Sequence, residues 1–256
     1  MMLKTIKTEQ LTTEVYATRA EMGRAAARAA ADAIRTVLET KEYANVIFAA
    51  APSQNEMLAS LLAEDVDFSR VNAFHMDEYV GLPETDPRTF AHYLDAHIFS
   101  LAPFRSVTYI GSSLSPEEAC LRYTALLAEN QPDVVCMGIG ENGHIAFNDP
   151  PVADFCDPYA VKTVALDEIC RMQQVHDGCF ATLHEVPTHA VTLTVPTLLS
   201  ARYLICTVPA PSKAAAVRAM LCGPYGECCP ATALRRHGGA RMFLDADSAA
   251  EVMEEC

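Results

Sequence analysis

The chain has 256 residues, of which 50% are hydrophobic, so it can bury the core of a globular domain. Its formal net charge of −14 at pH 7 argues against a nucleic-acid groove and against binding to an anionic membrane surface. The longest apolar runs are too short to span a bilayer, and residues 1–9 lack the apolar core of a signal peptide. We therefore expect an untargeted, cytoplasmic protein.

Helix-like and strand-like patterns alternate along the chain. Ala-rich sequence with interspersed Arg and Glu predicts a long helix over 14–40, and a short apolar run predicts a strand over 45–50. The same criteria predict further strands at 71–75, 106–110, 133–137, 161–166, 190–195, 203–208 and 241–244. Further helices are predicted at 55–63, 88–100, 115–130 and 212–221, with a short terminal helix from 247 onward.

This alternation indicates an α/β fold with a mostly parallel sheet and helices on both faces. No internal repeat, linker or composition break divides the sequence, so we predict a single domain over 1–256. Residues 146–190 are richer in turn-forming residues and are a candidate lid. The ten cysteines include no C-x-x-C pair, and several lie in apolar runs, so we expect reduced thiols and no zinc site.

The loop that follows the predicted strand 133–137 is the most informative segment, because ligands of parallel α/β sheets bind at the carboxyl ends of strands. It combines three glycines, among them Gly140 and Gly143, with His144 and Asp149. Glycines permit a tight turn and a close backbone approach to a ligand. The imidazole and the carboxylate, five residues apart, can transfer protons to a small polar substrate if Asp149 accepts the N–H of His144. A half-buried structural histidine is the plainer alternative.

The same loop matches G-x-G-x-x-G, the fingerprint of dinucleotide-binding sites. That interpretation requires the third glycine to open a helix, whereas Pro150 and Pro151 follow within eight residues and would break it. The motif also lies in the middle of the chain rather than after the first strand. A nicotinamide-dependent dehydrogenase is therefore a distant alternative.

Asp77 and Glu78 follow the predicted strand 71–75 and enter a loop. In an extended backbone their side chains point to opposite sides, so one can face a ligand while the other faces solvent or a cap. Composition alone favours the plainer interpretation, a solvated strand end, because most Asp and Glu residues are exposed.

Two strand-to-helix junctions could bind an anion. Lys213 lies in one of them, and Ser53, Gln54 and Asn55 form the other. Two helix N-termini and one lysine would make a phosphate cradle. An exposed surface lysine is the commoner case.

Two segments carry a resemblance to a known family. Met76-Asp77-Glu78-Tyr79-Val80-Gly81-Leu82, together with the run from Gly138 through His144 to Asn148, resembles the glucosamine-6-phosphate deaminases, the glucosamine/galactosamine-6-phosphate isomerase family. The likeness extends over nearly the whole chain, through 186–194 and the Lys213 helix. The more distant 6-phosphogluconolactonases share the fold and a Gly-rich His loop but lack the M-D-E-Y-V-G-L run.

The resemblance implies a Rossmann-like single domain and aldose–ketose chemistry without a metal or a cofactor. It implies that Asp77 moves a proton between C1 and C2 and that His144, paired with Asp149, assists opening of the pyranose ring. Lys213 would bind the phosphate. The substrate would be glucosamine 6-phosphate or galactosamine 6-phosphate, and the products the ketose 6-phosphate and ammonia. Many of these deaminases are oligomers, so we expect a homo-oligomer.

The sequence departs from the family pattern around the expected site. Asn142 stands where the family usually has Asp, and Asp149 where it usually has Glu. The first phosphate loop is rich in Ala rather than Gly and Thr, and the phosphate-binding arginine has no clean match, although Arg171 is a candidate substitute. These departures leave open a lactonase, an isomerase of non-amino sugar phosphates, and a catalytically silent sugar-phosphate-binding protein.

Overall fold

The computed structural model describes residues 1–254, within which the elements alternate as expected. The strands are β1 (Met2–Thr8), β2 (Leu11–Tyr16), β3 (Ala44–Phe48), β4 (Val71–His75), β5 (Asp77–Tyr79), β6 (Ser106–Thr108), β7 (Val134–Met137), β8 (Val161–Ala165), β9 (His189–Leu193), β10 (Tyr203–Val208) and β11 (Ala240–Asp245). The α-helices are α1 (Arg19–Leu38), α2 (Asn55–Leu61), α3 (Phe90–Leu94), α4 (Pro116–Glu129), α5 (Glu168–His176), α6 (Val195–Leu199) and α7 (Ala214–Cys222).

Eight strands form one sheet in the order β1-β2-β11-β10-β7-β3-β4-β6. Every neighbouring pair is parallel except β1 and β2. A second, antiparallel sheet has the order β5-β9-β8. The expected α/β class with a mostly parallel sheet in a single domain is confirmed.

The hydrophobic core lies on both faces of the large sheet. On β3, Ile47 packs into the core cluster that includes α4 and α7, whereas Phe48 packs into the cluster that includes α1 and α2. Successive side chains of a strand point to opposite faces, so a strand with helices on both sides is apolar at every position. This explains why Val46, Ile47 and Phe48 of β3 are consecutive apolar residues.

The N-terminal region differs from the prediction of a helix over 14–40. Residues 11–16 alternate between buried and half-buried, which is the period-2 pattern of a strand. The helix begins only after Thr18, whose hydroxyl accepts a hydrogen bond from the backbone N–H of Glu21 at 3.2 Å. The Ala-rich segment is the helix, and the β-branched residues before it are not.

Three further differences concern the segments around the sheet ends. The loop predicted after the strand 71–75 contains β5, and the turn-rich segment 146–190 contains α5. The residues from 247 to 254 form turns rather than a helix. Of the described cysteines eight are free thiols, but Cys222 is disulfide-bonded, so the expectation of reduced thiols is wrong at that position. Within residues 1–254, no helix is both long and apolar enough to cross a membrane.

Candidate active site

The loops that leave β3, β4 and β7 converge on one pocket at the carboxyl ends of the parallel strands. Five residues proposed from the sequence line it: Ser53, Gln54, Asp77, Gly140 and His144. Other lining residues are Ala49, Ala50, Ala51, Met76, Phe90, Gly138, Ile139, Ala146, Phe147, Gln173 and Gln174. The two motifs that are 60 residues apart in sequence therefore meet in space, as parallel-sheet topology predicts.

The Gly loop folds tightly around the His144 ring. A Cβ on Gly140 would lie 2.1 Å from the imidazole, so only glycine fits beside this ring. The Gly140 amide donates to the His144 carbonyl at 2.9 Å, and the Gly143 amide donates to the Gly140 carbonyl at 3.0 Å. Gly143 has φ of +81°, a conformation that favours glycine. The glycines thus serve the placement of the imidazole rather than a dinucleotide.

Asp149 lies directly behind His144. Its Oδ1 is 2.9 Å from His144 Nδ1, a short contact that is not linear, and accepts a hydrogen bond from Asn142 Nδ2 at 3.0 Å. Its Oδ2 accepts from the backbone N–H of Asp167 at 3.2 Å. Burial alone would raise the pKa of Asp149, but the neighbouring His144 ring, Asn142 and the Asp167 amide hold it below its usual value. The group is therefore a carboxylate that can steady a charged imidazole.

Asn142 connects the two ends of this arrangement. While its Nδ2 donates to Asp149, its Oδ1 accepts from the backbone N–H of His144 at 3.1 Å. The amide supplies a donor that an ionised aspartate at this position would lack. The Asn142–His144–Asp149 set is internally paired with one negative charge. The sulfur of Cys170 lies within 4.8 Å of a ring nitrogen of His144 and of a carboxylate oxygen of Asp149.

Asp77 opens β5 and is only 6% exposed. Burial and then the adjacent Glu78 charge raise the pKa of Asp77 well above its usual value, against a smaller opposing effect of the Phe147 backbone N–H. A carboxyl that holds its proton tightly is a strong base once it is ionised. Asp77 and His144 face the same pocket from different loops.

Glu78 points away from the pocket and holds a wall of it in place. Its carboxylate accepts backbone hydrogen bonds from Tyr79 at 2.9 Å, from Phe90 at 3.1 Å and from Ala91 at 2.9 Å. The last two are first-turn donors of α3, the helix that brings Phe90 to the pocket. Burial nevertheless raises the pKa of Glu78 to about 7. Because both acids are buried, the interpretation of a solvated strand end is wrong.

Strand β9 connects Asp77 with the loop that carries His144. Asp77 pairs with Thr192 in the antiparallel ladder, and the Thr192 hydroxyl accepts from the Phe147 backbone N–H at 3.1 Å. Asn148 Nδ2 donates to the Leu193 carbonyl at 2.8 Å. Thr192 itself is fully buried and does not line the pocket.

Of the residues Ser53, Gln54 and Asn55, which the sequence proposed for phosphate binding, only the first two line the pocket. Gln54 Nε2 donates to Ser53 Oγ at 3.1 Å and to the Thr207 carbonyl at 3.2 Å, whereas Gln54 Oε1 is buried with no hydrogen-bond partner in residues 1–254. Asn55 lies outside the pocket lining, and its Oδ1 accepts a hydrogen bond from the Tyr93 hydroxyl.

Lys213 is buried, with 4% of its surface exposed, and its ammonium finds no hydrogen-bond partner in the described chain. Burial lowers the pKa of Lys213, while the nearby carboxylates of Asp177 and Glu141 oppose this effect. An unpartnered cation of this kind is unfavourable unless an anion completes it. Lys213 is therefore not an exposed surface lysine, and it is not among the residues that line the pocket.

Arg171 does not reach the pocket lining. Its Nη2 donates to the carbonyls of Leu183 and Val186, both at 2.8 Å, and so ties the 183–186 turn to α5. The pocket residues of this helix are Gln173 and Gln174, which sequence reasoning did not propose. The sequence signal that could have found this helix is Asp167, a residue type that favours the N-cap position.

Comparison with known proteins places this site in a family. The sequence model described as "Glucosamine-6-phosphate isomerases/6-phosphogluconolactonase" matches residues 17–154. The chain belongs to this family. Curated relatives include proteins named glucosamine-6-phosphate deaminase from Bacillus thuringiensis (strain Al Hakam) and Bacillus cereus (strain AH820). Each is 33% identical over 217 residues, which is 84% of this chain and 80% of the relative.

Solved structures of the family share the fold. A protein described as a monomeric glucosamine-6-phosphate deaminase superposes with a TM-score of 0.85 at 28% identity, over 93% of this chain and 99% of that one. The 6-phosphogluconolactonase from Thermotoga maritima has a TM-score of 0.74 at 19% identity, over 91% and 99% of the two chains. The second likeness concerns the fold alone, whereas the family resemblance inferred from the two motifs is confirmed.

Proposed function

We propose that the protein is an amino-sugar-phosphate deaminase that converts glucosamine 6-phosphate, or its C4 epimer galactosamine 6-phosphate, into the ketose 6-phosphate and ammonia. The observation that carries this proposal is the convergence of Asp77 and His144 on one pocket, with Asp149 2.9 Å behind the imidazole. Curated relatives that are 33% identical over 84% of this chain are named glucosamine-6-phosphate deaminase, which supports the proposal.

Ring opening is the first step. The His144 nitrogen that is remote from Asp149 delivers a proton to the ring oxygen and then accepts the proton of the C1 hydroxyl, so that the bond between C1 and the ring oxygen breaks and C1 becomes an aldehyde. Asp149 stabilises the charged imidazole during this exchange, because its own pKa lies below the usual value and it stays ionised. Asn142 keeps Asp149 oriented through the 3.0 Å hydrogen bond.

Proton transfer between carbons is the second step. The Asp77 carboxylate removes the proton from C2, the electron pair forms a C1–C2 double bond, and the C1 carbonyl oxygen takes up a proton that the substrate ammonium releases, which gives an enolamine. Asp77 then returns its proton to C1 while the nitrogen lone pair forms a C2 iminium, which water hydrolyses to the ketone and ammonia. The substrate ammonium next to Asp77 favours its ionised form, and burial makes that carboxylate a strong base.

A substrate panel tests the proposal. Purified protein is incubated with glucosamine 6-phosphate, galactosamine 6-phosphate, glucosamine without phosphate, and 6-phosphogluconolactone, and both ammonia and ketose are measured. We expect equal amounts of ammonia and ketose from an amino-sugar phosphate. Hydrolysis of the lactone without any ammonia release would instead identify a lactonase, and binding without turnover would identify a silent binding protein.

A further inference from the structure

The loop that carries Lys213 contains a strained backbone residue. Ala210 has φ of +85° and ψ of +148°, a conformation that favours glycine. A residue with a Cβ keeps such a conformation only where the surrounding structure holds it there. Strain of this kind is concentrated at binding and catalytic sites, where the fixed geometry serves the site.

Asp245 holds Ala210 in this conformation. Asp245 ends β11, which pairs in parallel with β10, and Ala210 lies in the loop that leaves β10. The Ala210 backbone N–H donates to both carboxylate oxygens of Asp245, at 3.2 Å and 3.1 Å. Asp245 is 3% exposed, so water competes little for these hydrogen bonds. The carboxylate therefore offsets the strain at Ala210.

Ser248 makes a separate contact at the start of the same loop. Its backbone N–H donates to Asp245 Oδ1 at 2.8 Å, and its hydroxyl donates to the carbonyl of Val208, the last residue of β10, at 2.6 Å. Ser248 is fully buried. Because the hydroxyl supports the strand end without contacting Ala210, a substitution of Ser248 is a matched control for one of Asp245.

The clamped residue lies three positions before Lys213. The Ala210 carbonyl accepts the Lys213 backbone N–H at 3.1 Å, and Pro211–Lys213 form a 3₁₀ turn that leads into α7. The path of the chain at Ala210 therefore determines where the Lys213 side chain begins. The Lys213 ammonium is buried without a hydrogen-bond partner in residues 1–254, so no hydrogen bond of its own fixes its position before an anion binds.

We propose that Asp245 is a positioning residue for phosphate binding: through the Ala210 N–H it holds the loop in the conformation that presents the Lys213 ammonium to the substrate phosphate. This inference rests on the proposed function, in which Lys213 binds that phosphate. Without the carboxylate, Ala210 relaxes to negative φ, and only the fraction of molecules with the strained loop binds phosphate with full affinity. KM should therefore rise, while kcat, which depends on Asp77 and His144, changes little.

The first test compares Asp245→Leu, which is similar in size and has no acceptor, with Asp245→Asn and Ser248→Ala. For Asp245→Leu we expect KM for glucosamine 6-phosphate to rise about tenfold and kcat to stay within about threefold of wild type. Asp245→Asn keeps one oxygen that can accept the Ala210 N–H, so its KM should rise less than about threefold. Ser248→Ala should lower the free energy of unfolding but leave KM within about twofold.

Two further variants decide whether Asp245 acts through the loop. In a Lys213→Met background, Asp245→Leu should raise KM by less than about twofold, because the group that it positions is absent. Ala210→Val leaves Asp245 and Lys213 in place but makes a positive φ more costly, so KM should again rise with little change in kcat. Ala210→Val also answers the question if Asp245→Leu does not fold.

Three results overturn the assignment. One is an unchanged KM in Asp245→Leu, or in Ala210→Val where the first variant does not fold. The second is an equal rise in KM for Ser248→Ala, because the effect would then follow from any local loss of hydrogen bonding. The third is full additivity of Asp245→Leu with Lys213→Met.

A binding measurement separates this inference from the proposed function. If wild type releases no ammonia from any amino-sugar phosphate, the proposed function fails. The apparent Kd for inorganic phosphate, obtained from the increase of Tm with phosphate concentration, then tests Asp245 without turnover. Weaker phosphate binding by Asp245→Leu than by Ser248→Ala supports the assignment. Equal binding by these two variants, or no stabilisation of wild type by phosphate, overturns it.

Discussion

The polar groups around His144 and those expected to bind the phosphate differ in how many hydrogen-bond partners they have within the protein. At the end that carries His144, the carboxylate of Asp149 has three neighbours, and Asn142 is bonded at both ends. Among the residues expected to bind the phosphate, the Lys213 ammonium and Gln54 Oε1 are buried without partners in residues 1–254. Under the proposed function, the groups that move protons are held in place before substrate arrives, whereas the groups that bind the phosphate are completed by it.

The largest expected effect comes from removing the proposed base. Asp77→Asn keeps the shape of the side chain but cannot accept a proton from carbon, so kcat should fall by on the order of 10³-fold. Ammonia release measures the loss, and circular dichroism checks that the fold is retained. Glu84→Gln, an exposed change in the following loop, is the matched control. Full turnover by Asp77→Asn on every amino-sugar phosphate would refute the assignment of the base.

Gly140→Ala should have the second largest effect on kcat, because it displaces the His144 ring without changing a polar side chain. The added Cβ would lie 2.1 Å from the imidazole, so the His144 ring must rotate away from its present position. We expect kcat to fall about 100-fold, with a smaller change in KM. Steady-state kinetics measures both, and an unchanged kcat would show that the ring position is not required.

Lys213→Met tests the role of the buried lysine ammonium, which has no hydrogen-bond partner in residues 1–254. Loss of the cation should raise KM for a sugar phosphate by about 100-fold while kcat changes less. The same change removes a buried, unpartnered charge, so the free protein should become more stable by about 1 kcal/mol, or ~2–4 °C in Tm. Thermal unfolding with and without inorganic phosphate checks this, since phosphate should stabilise only wild type. A simultaneous loss of stability and unchanged KM would contradict the prediction.

Glu78→Gln should have the smallest effect on the chemistry and a visible effect on stability. The amide nitrogen that replaces one carboxylate oxygen cannot accept the Ala91 N–H. The first turn of α3 therefore loses one hydrogen bond, and the free energy of unfolding falls by about 1–2 kcal/mol. Because the pKa of Glu78 is about 7 when folded and lower when unfolded, folding takes up a proton. The contribution of Glu78 to stability is therefore complete below about pH 4 and declines as pH rises through 7.

Chemical denaturation of wild type and Glu78→Gln between pH 4 and 8 measures this dependence. The free energy of unfolding of wild type should decline more steeply with pH than that of the variant. Parallel curves for the two proteins would show that Glu78 does not titrate in this range.

Sequence reasoning found the parts of the site that are written in contiguous motifs. The glycines, His144 and Asp149 lie in one loop, and Asp77 lies in a run whose position after a strand fixes its place at the sheet edge. Topology alone then brings the two motifs together. The roles of these residues stay predictions until the variants above are measured.

What the sequence could not supply depends on contacts between distant segments. The buried state of Glu78 follows from the α3 amides 12 and 13 positions later, which no local pattern reports. Helix α5 was missed because its buried face consists of Cys170, Gln173 and Gln174, and glutamine at a core position weakens the apolar period on which helix prediction relies.

Strand β9 also has a consequence for how this enzyme family could be searched or engineered. Thr192 joins the base strand to the loop of the imidazole, although it contributes no surface to the pocket. A directed-evolution library confined to the pocket lining would omit this position, which links the strand of Asp77 to the loop of His144. Under the proposed function, random mutagenesis should therefore yield folded but inactive clones at Thr192, and saturation at this site would be a way to change the spacing between Asp77 and His144 without altering a pocket residue.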